Sequence, residues 1–141
     1  MRKITTTHLL FMVLSFMAGG CAATSSSGGS IARAMLNDHA VQVGMPRQEV
    51  KNILGSKVTT GYEITGDKPP RLKPIPLKNP FRVELYRRDQ KVYEAEFYFT
   101  MLKHQDGVIT DDELTPFVFE NDRLIGRGWE FYVNFKKENH F

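Results

Sequence analysis

The sequence predicts an α+β fold in which two short N-terminal helices pack on a three- to four-stranded antiparallel sheet. Between residues 31 and 55 apolar side chains recur at helical spacing, and from residue 57 the period shortens to two. The alternating runs are separated by short polar stretches of turn-forming residues, which favour antiparallel hairpins over crossovers.

The chain opens with a different kind of segment. Arg2 and Lys3 precede a mostly apolar run from Leu9 to Ala18 that is interrupted only by Ser15. That run is about half the ~20 residues needed to span a bilayer as a helix. Charge, apolar stretch and then small residues, in that order, are the layout of a secretory signal, so residues 1–20 are read as a signal peptide. Cys21 is the only cysteine in the chain. It follows Ala18, Gly19 and Gly20, and the group resembles the lipobox of bacterial lipoproteins, with Ala18 where leucine is usual. The resemblance implies cleavage before Cys21 and diacylglycerol on its sulfur, which explains why an oxidising compartment tolerates one unpaired thiol. Ala22 rather than aspartate follows the cysteine. By the sorting habit of such lipoproteins this implies the outer membrane, facing the periplasm. Residues 21–30 are Ser/Gly-rich and read as a flexible tether.

Residues 31–141 fit one domain. Ile31 to Val41 reads as a short helix with Ser30 as a possible cap. In "VGMPRQEVKNILGS", Pro46 suits a first helical turn and Glu49 complements the helix dipole. Val50, Ile53 and Leu54 form one stripe, and Gly55 stops the helix. Five of the seven prolines lie at 69, 70, 74, 76 and 80, so residues 67–80 read as an extended loop, carrying Lys68, Arg71, Lys73 and Lys78 against Asp67 alone. Phe81, Val83 and Leu85 then alternate with polar neighbours, and Tyr93, Ala95, Phe97, Phe99 and Met101 do the same after a turn at "RRDQ". Thr115, Phe117 and Phe119 lead into "ENDR", beyond which Ile125, Trp129, Phe131 and Val133 continue the alternation as a strand. One face of this sheet is expected to be buried.

"VGMPRQEVKNILG", "FRVELYRRD" and "TPFVFENDRLIGRGW" together resemble the small outer-membrane lipoproteins of the SmpA/OmlA (BamE) family. The last stretch is also similar to small uncharacterised bacterial lipoproteins thought to share that fold. The resemblance implies a BamE-like domain of two helices against a three-stranded sheet, anchored at the outer membrane. It also implies a non-enzymatic accessory role such as assistance to β-barrel assembly.

Catalysis finds little support in the residues. Beyond the tether Ser56 is the only serine, so a Ser or Cys nucleophile has almost no candidate. His39, His104 and His140 are scattered, which argues against a zinc site. Asp106, Asp111, Asp112 and Glu113 lack calcium-loop spacing and read as a solvated turn. "GRG" at 126–128 fits a bulge or a close helix contact better than a phosphate cradle. The pI near 9.0 owes much to the signal. Removing Arg2 and Lys3 takes the basic count from 19 to 17, against 16 acidic residues, and that balance gives no case for nucleic acid. No cofactor, metal or small-molecule substrate is expected.

The aromatics at 93, 97, 99, 117, 119, 129 and 131 are expected in the core. Tyr86, Tyr98 and Tyr132 fall on the opposite parity. Together with Arg87, Arg88, Lys68, Arg71, Lys73 and Lys78 they are the expected partner-contacting residues. The leading expectation is therefore an interaction module, held to the outer membrane through Cys21, that meets another envelope protein. The alternative is an inhibitor that plugs an envelope enzyme's cleft with residues 67–80. A periplasmic enzyme is the weakest reading, for want of catalytic residues.

Overall fold

In the computed structural model, residues 29–30, 37–104 and 108–141 are described. The expected signal peptide, Cys21, most of the expected tether and most of the first expected helix lie outside them. Of that helix only its end is seen: Asp38–Ala40 form a single 3-10 turn and Val41 is extended.

The described residues build two sheets, one mixed and one antiparallel. Strands β1 (Gly29–Ser30), β2 (Lys57–Ile64) and β3 (Leu72–Lys78) form one sheet in that order, with β1 parallel to β2. Strands β4 (Arg82–Arg88), β5 (Lys91–Phe99), β6 (Leu114–Glu120) and β7 (Arg123–Arg127) form a four-stranded meander. Helix α1 (Arg47–Leu54) lies on one face of the meander and α2 (Gly128–Asn139) on the other. Among the described residues, the two helices that pack on the meander are not the expected N-terminal pair. One helix is N-terminal, the other C-terminal, and the sheet lies between them.

The hairpin turns follow from local chemistry. Asn121 and Asp122 both adopt positive φ (50° and 62°), the conformation a two-residue type I′ turn demands, and Glu120 pairs with Arg123 across it. Between Arg88 and Lys91 only the first turn residue, Asp89, takes positive φ (54°). Pro46 occupies the N-cap position of α1 and Gly55, at φ 80°, terminates it.

The stretch expected to continue as a strand to Val133 turns into α2 instead. Gly128 breaks the strand with φ 84°, and helical spacing then places Trp129, Tyr132 and Phe135 on one side. Alternation over Trp129, Phe131 and Val133 was compatible with either element at that length, and Val133 in fact faces water at 56% exposure. The packing of α2 also depends on Gly126 in β7. A Cβ there would sit 2.3 Å from Cε2 of Phe131, so only hydrogen lets the helix approach the strand so closely. The sheet bulges nearby, between Val118 and Phe119.

Both faces of β5 are buried, not one. Tyr93, Ala95, Phe97 and Phe99 pack under α2 with Val118, Tyr132 and Phe135. Phe117 and Phe119, expected beside Phe97, lie in the other layer with Tyr98, Val50, Leu54 and Leu124 under α1. Glu94 and Glu96 made that second face look polar. Their charges are met from the helix: Arg47 binds Glu94, and Lys51 Nζ lies 3.0 Å from Glu96 Oε1. Four residues of helix rise about 6 Å, and two residues of strand about 6.7 Å, so an i/i+4 pair of cations fits an i/i+2 pair of carboxylates.

Residues 67–80 are likewise not a loop throughout. Leu72–Lys78 form β3, which pairs with β2 from Leu72↔Ile64 to Lys78↔Lys57. Pro74 and Pro76 are tolerated because β3 is an outer strand and both share one parity. Asn79 donates its N–H inward to Ser56 O (2.9 Å), so by alternation the missing proline donors point away from β2.

The base of the β2–β3 arm is tied to the core. Val58 is 1% exposed with Leu77 packed beside it. Asn79 accepts from Phe99 N at 2.9 Å and donates to Leu54 O at 3.4 Å. Beyond that base the arm projects into solvent.

Candidate functional site

Among the described residues, polar clusters under each helix and in the 100–113 connection, together with exposed surfaces, are the places where the fold could do chemistry. Under α1, Tyr98 donates its hydroxyl to Glu96 Oε2 at 2.6 Å while Lys51 meets the other oxygen. Burial, reinforced by the Glu96 carboxylate, pushes the Tyr98 hydroxyl far above the usual tyrosine range, so it stays a neutral donor. Beneath α2, Glu84 accepts from the hydroxyls of both Tyr86 and Tyr132, which lie 2.7 Å apart, and pairs with Arg82 at 3.1 Å. Burial raises the Glu84 carboxyl. The hydroxyls of Tyr132 and Tyr86 and the charge of Arg82 outweigh it and hold the group below the usual glutamate range. Burial and the bond to Glu84 raise Tyr132.

The third cluster closes the 100–113 connection. Glu113, expected in a solvated turn, is fully buried. Its carboxylate accepts from the N–H groups of Lys103 (2.9 Å), His104 (3.0 Å) and Thr110 (3.3 Å), and the last contact completes a capping box. Burial raises this carboxyl, but the three donors together bring it below the usual value. Asp111 bonds Arg82 and Asp112 pairs with Lys103, while Asp106 lies outside the described residues. In each cluster the carboxylate is saturated by neighbours, which suits a structural clamp better than proton transfer. Among the described residues no group of three or more His, Cys, Asp or Glu side chains is placed to hold a metal ion.

The partner-contacting residues expected from sequence do not form one surface. Lys68, Arg71, Lys73 and Lys78 lie on the arm, all exposed. Tyr98 is wholly buried under α1, and Tyr132 is 6% exposed under α2, so neither lies on the exposed face where it was expected. Tyr86 is half-buried and stacks on Phe141 at 4.9 Å. Arg87 and Arg88 are exposed at the end of β4, where Arg88 bonds Glu138 O and Asn139 Oδ1.

Sequence reasoning missed the apolar side of the arm. By register, Ile64 pairs with Leu72, Tyr62 with Pro74 and Thr59 with Pro76, all on the face turned away from Val58 and Leu77. Tyr62, Ile64 and Leu72 are 64%, 74% and 70% exposed. The Lys57–Lys78 pair stands at the base of this face, and Lys68 and Arg71 at its tip. None of these four cations has an ion pair among the described residues. Lys73, on the opposite face, is matched by Glu63 at 3.1 Å. The signal in the sequence was the alternation of Tyr62 and Ile64, which the prolines that follow obscured. A shallow groove of about 420 Å³ also runs along α2, lined by Arg127, Glu130, Phe131, Asn134, Phe135 and Glu138.

Residues 77–134 match the family described as a protein of unknown function, DUF3192. The DUF3192 match spans the meander and the first half of α2. It takes in the last two residues of β3 and leaves the rest of the arm and α1 outside. No curated protein and no solved structure matches the chain. No helix among the described residues is long and apolar enough to cross a membrane, a fact that does not bear on lipid anchoring.

Proposed function

We propose that this protein is a lipid-anchored, non-enzymatic interaction module of the bacterial envelope, held at the outer membrane by acylated Cys21 and akin to the SmpA/OmlA lipoproteins. In this reading the β2–β3 arm is the element that meets another envelope protein. The observation that carries it is the outward face of the arm, where Tyr62, Ile64 and Leu72 are exposed between cations that have no ion pair among the described residues. A clustered apolar surface of this kind marks a contact surface. Unmatched lysines at its ends select an acidic partner and speed encounter more than they add affinity.

Photo-crosslinking from position 72 in intact membranes tests the reading. A discrete crosslinked protein, lost when Lys57, Lys68, Arg71 and Lys78 are reversed to Glu but retained when exposed Gln48 on α1 is changed, supports it. Crosslinks that survive charge reversal would remove the arm from the interface. Anchoring is tested separately: Cys21→Ser should give an uncleaved or soluble form that no longer partitions with membranes, and unchanged processing would count against the lipoprotein assignment.

A further inference from the structure

Sheet edges invite other strands, and folded proteins usually guard them. Three of the edges here are occupied or guarded. The outer side of β3 carries Pro74 and Pro76. The outer side of β7 is bonded by residues 44–46: Gly44 N donates to Leu124 O at 2.8 Å, Leu124 N donates to Met45 O at 2.9 Å, and Pro46 bridges Arg123. On β2, β1 takes the side away from β3 at Val58 and Thr59 alone, and the register shift between Thr59 and Gly61 interrupts the rest of that edge. Strand β4 has no such protection among the described residues. It pairs with β5 alone, in unbroken register from Arg82↔Phe97 to Arg88↔Lys91, and contains neither proline nor glycine.

The two faces of β4 are finished to different degrees. On the α2 side Arg82 is bound to Asp111 and Glu84, Tyr86 to Tyr132, and Arg88 to the end of α2. On the α1 side the helix covers β5 to β7 and stops short of β4. Val83, Leu85 and the neighbouring Val92 are left 45%, 70% and 44% exposed. Arg87, opposite Val92 on this same face, has no ion pair among the described residues.

We infer that β4 accepts an extended segment of a partner protein by strand addition, with apolar residues of that segment over Val83 and Leu85 and an acidic residue opposite Arg87. Main-chain hydrogen bonds hold such a segment, and alternate side chains select it. A second copy of this chain fits poorly. Symmetric antiparallel self-pairing never sets a carboxylate of β4 opposite Arg87, because Glu84, the one acidic residue of the strand, lies on the other face, and centring on Leu85 also sets Arg82 against Arg88 twice. Three arginines against one glutamate along β4 favour an acidic strand. This surface is independent of the arm, so either can fail without the other.

The probe is the peptide Thr-Glu-Thr-Val-Thr-Val-Thr, which in antiparallel register sets its glutamate opposite Arg87 and its valines opposite Leu85 and Val83. Amide exchange of the full chain in detergent, with and without peptide, is the readout. Slowed exchange confined to β4 is expected. Leu85→Asp should abolish it, and a peptide with lysine in place of glutamate should bind about two- to fivefold more weakly. In Arg87→Glu that preference should reverse, which no folding defect would produce. Protection on the arm but not on β4, an unchanged preference in Arg87→Glu, or concentration-dependent protection of β4 without peptide would each overturn the inference, the last by making a second copy the occupant.

Discussion

Lys51→Met should destabilise the fold more than Glu96→Gln, although the two remove opposite halves of one ion pair. Lys51 is about one-third exposed and Glu96 1% exposed, and their charged atoms lie 3.0 Å apart. At that distance the gross attraction is about 5 kcal/mol in a medium of effective dielectric ~20. Losing the lysine leaves a buried carboxylate with only the Tyr98 hydroxyl for company. Breaking a buried pair in this way costs about 3–5 kcal/mol, and water reaching the lysine places this case at about 2–3 kcal/mol. Methionine matches lysine in helix propensity, so α1 itself is not weakened. Losing the glutamate's charge instead leaves a lysine that can turn to water, at about 1 kcal/mol. The double variant has no orphan charge and should resemble Glu96→Gln. Urea unfolding of the four proteins closes the cycle, with a coupling of about 2–3 kcal/mol expected, the whole cost of the lysine change alone. Equal single effects, or two effects that simply add, would refute the burial asymmetry on which the estimate rests.

Gly126→Ala should cost about 1–3 kcal/mol as overpacking, because the new methyl meets the Phe131 ring, and the added Phe131→Leu change should recover part of it; thermal melts of both variants check this. Phe97→Ala, at the centre of the layer under α2, should cost about 3–5 kcal/mol, and an unchanged urea midpoint would mean that Phe97 is not core. Glu113 has its carboxyl held below the ordinary value of 4.5, so the stability it contributes is fully present above that value and is lost as pH falls through the lower folded value. Glu113→Gln should therefore be less stable than the parent at pH 7, and the gap should close in acid; a gap independent of pH would show that the charge is irrelevant.

How much of this fold the sequence discloses depends on how local each determinant is. The turn at Asn121–Asp122 and the stop at Gly55 are written in residues that need positive φ, and both are read directly. The alternation of β5 and β6 is equally plain. What alternation cannot reveal is a second helix on the far side of the sheet, because the carboxylates of Glu94 and Glu96 look solvated until Arg47 and Lys51 are known to lie over them. The error at α2 has the same origin. Trp129, Phe131 and Val133 satisfy a period of two, while Trp129, Tyr132 and Phe135 satisfy the helix, and only packing against Tyr93 and Phe97 decides between them.

The contact surfaces are harder to read, since a charge count along the chain does not distinguish matched from unmatched cations. Lys73 and Lys78 are equally prominent in the sequence, yet Lys73 is paired with Glu63 across the arm while Lys78 faces Lys57. Tyr98 and Tyr132 look like exposed aromatics by parity and are instead the hydroxyl donors that make buried carboxylates tolerable. Leu85 stands on the apolar parity of its run and is nevertheless 70% exposed. Its exposure comes from the position of α1, which lies along β5 with its apolar face turned to β5, β6 and β7 and leaves the outer strand of the meander uncovered. A segment laid over this side of β4 would bury Val83, Leu85 and Val92 and complete the layer. The unfinished layer and the unguarded strand occur together, as they would if a partner supplied both the missing cover and the missing strand.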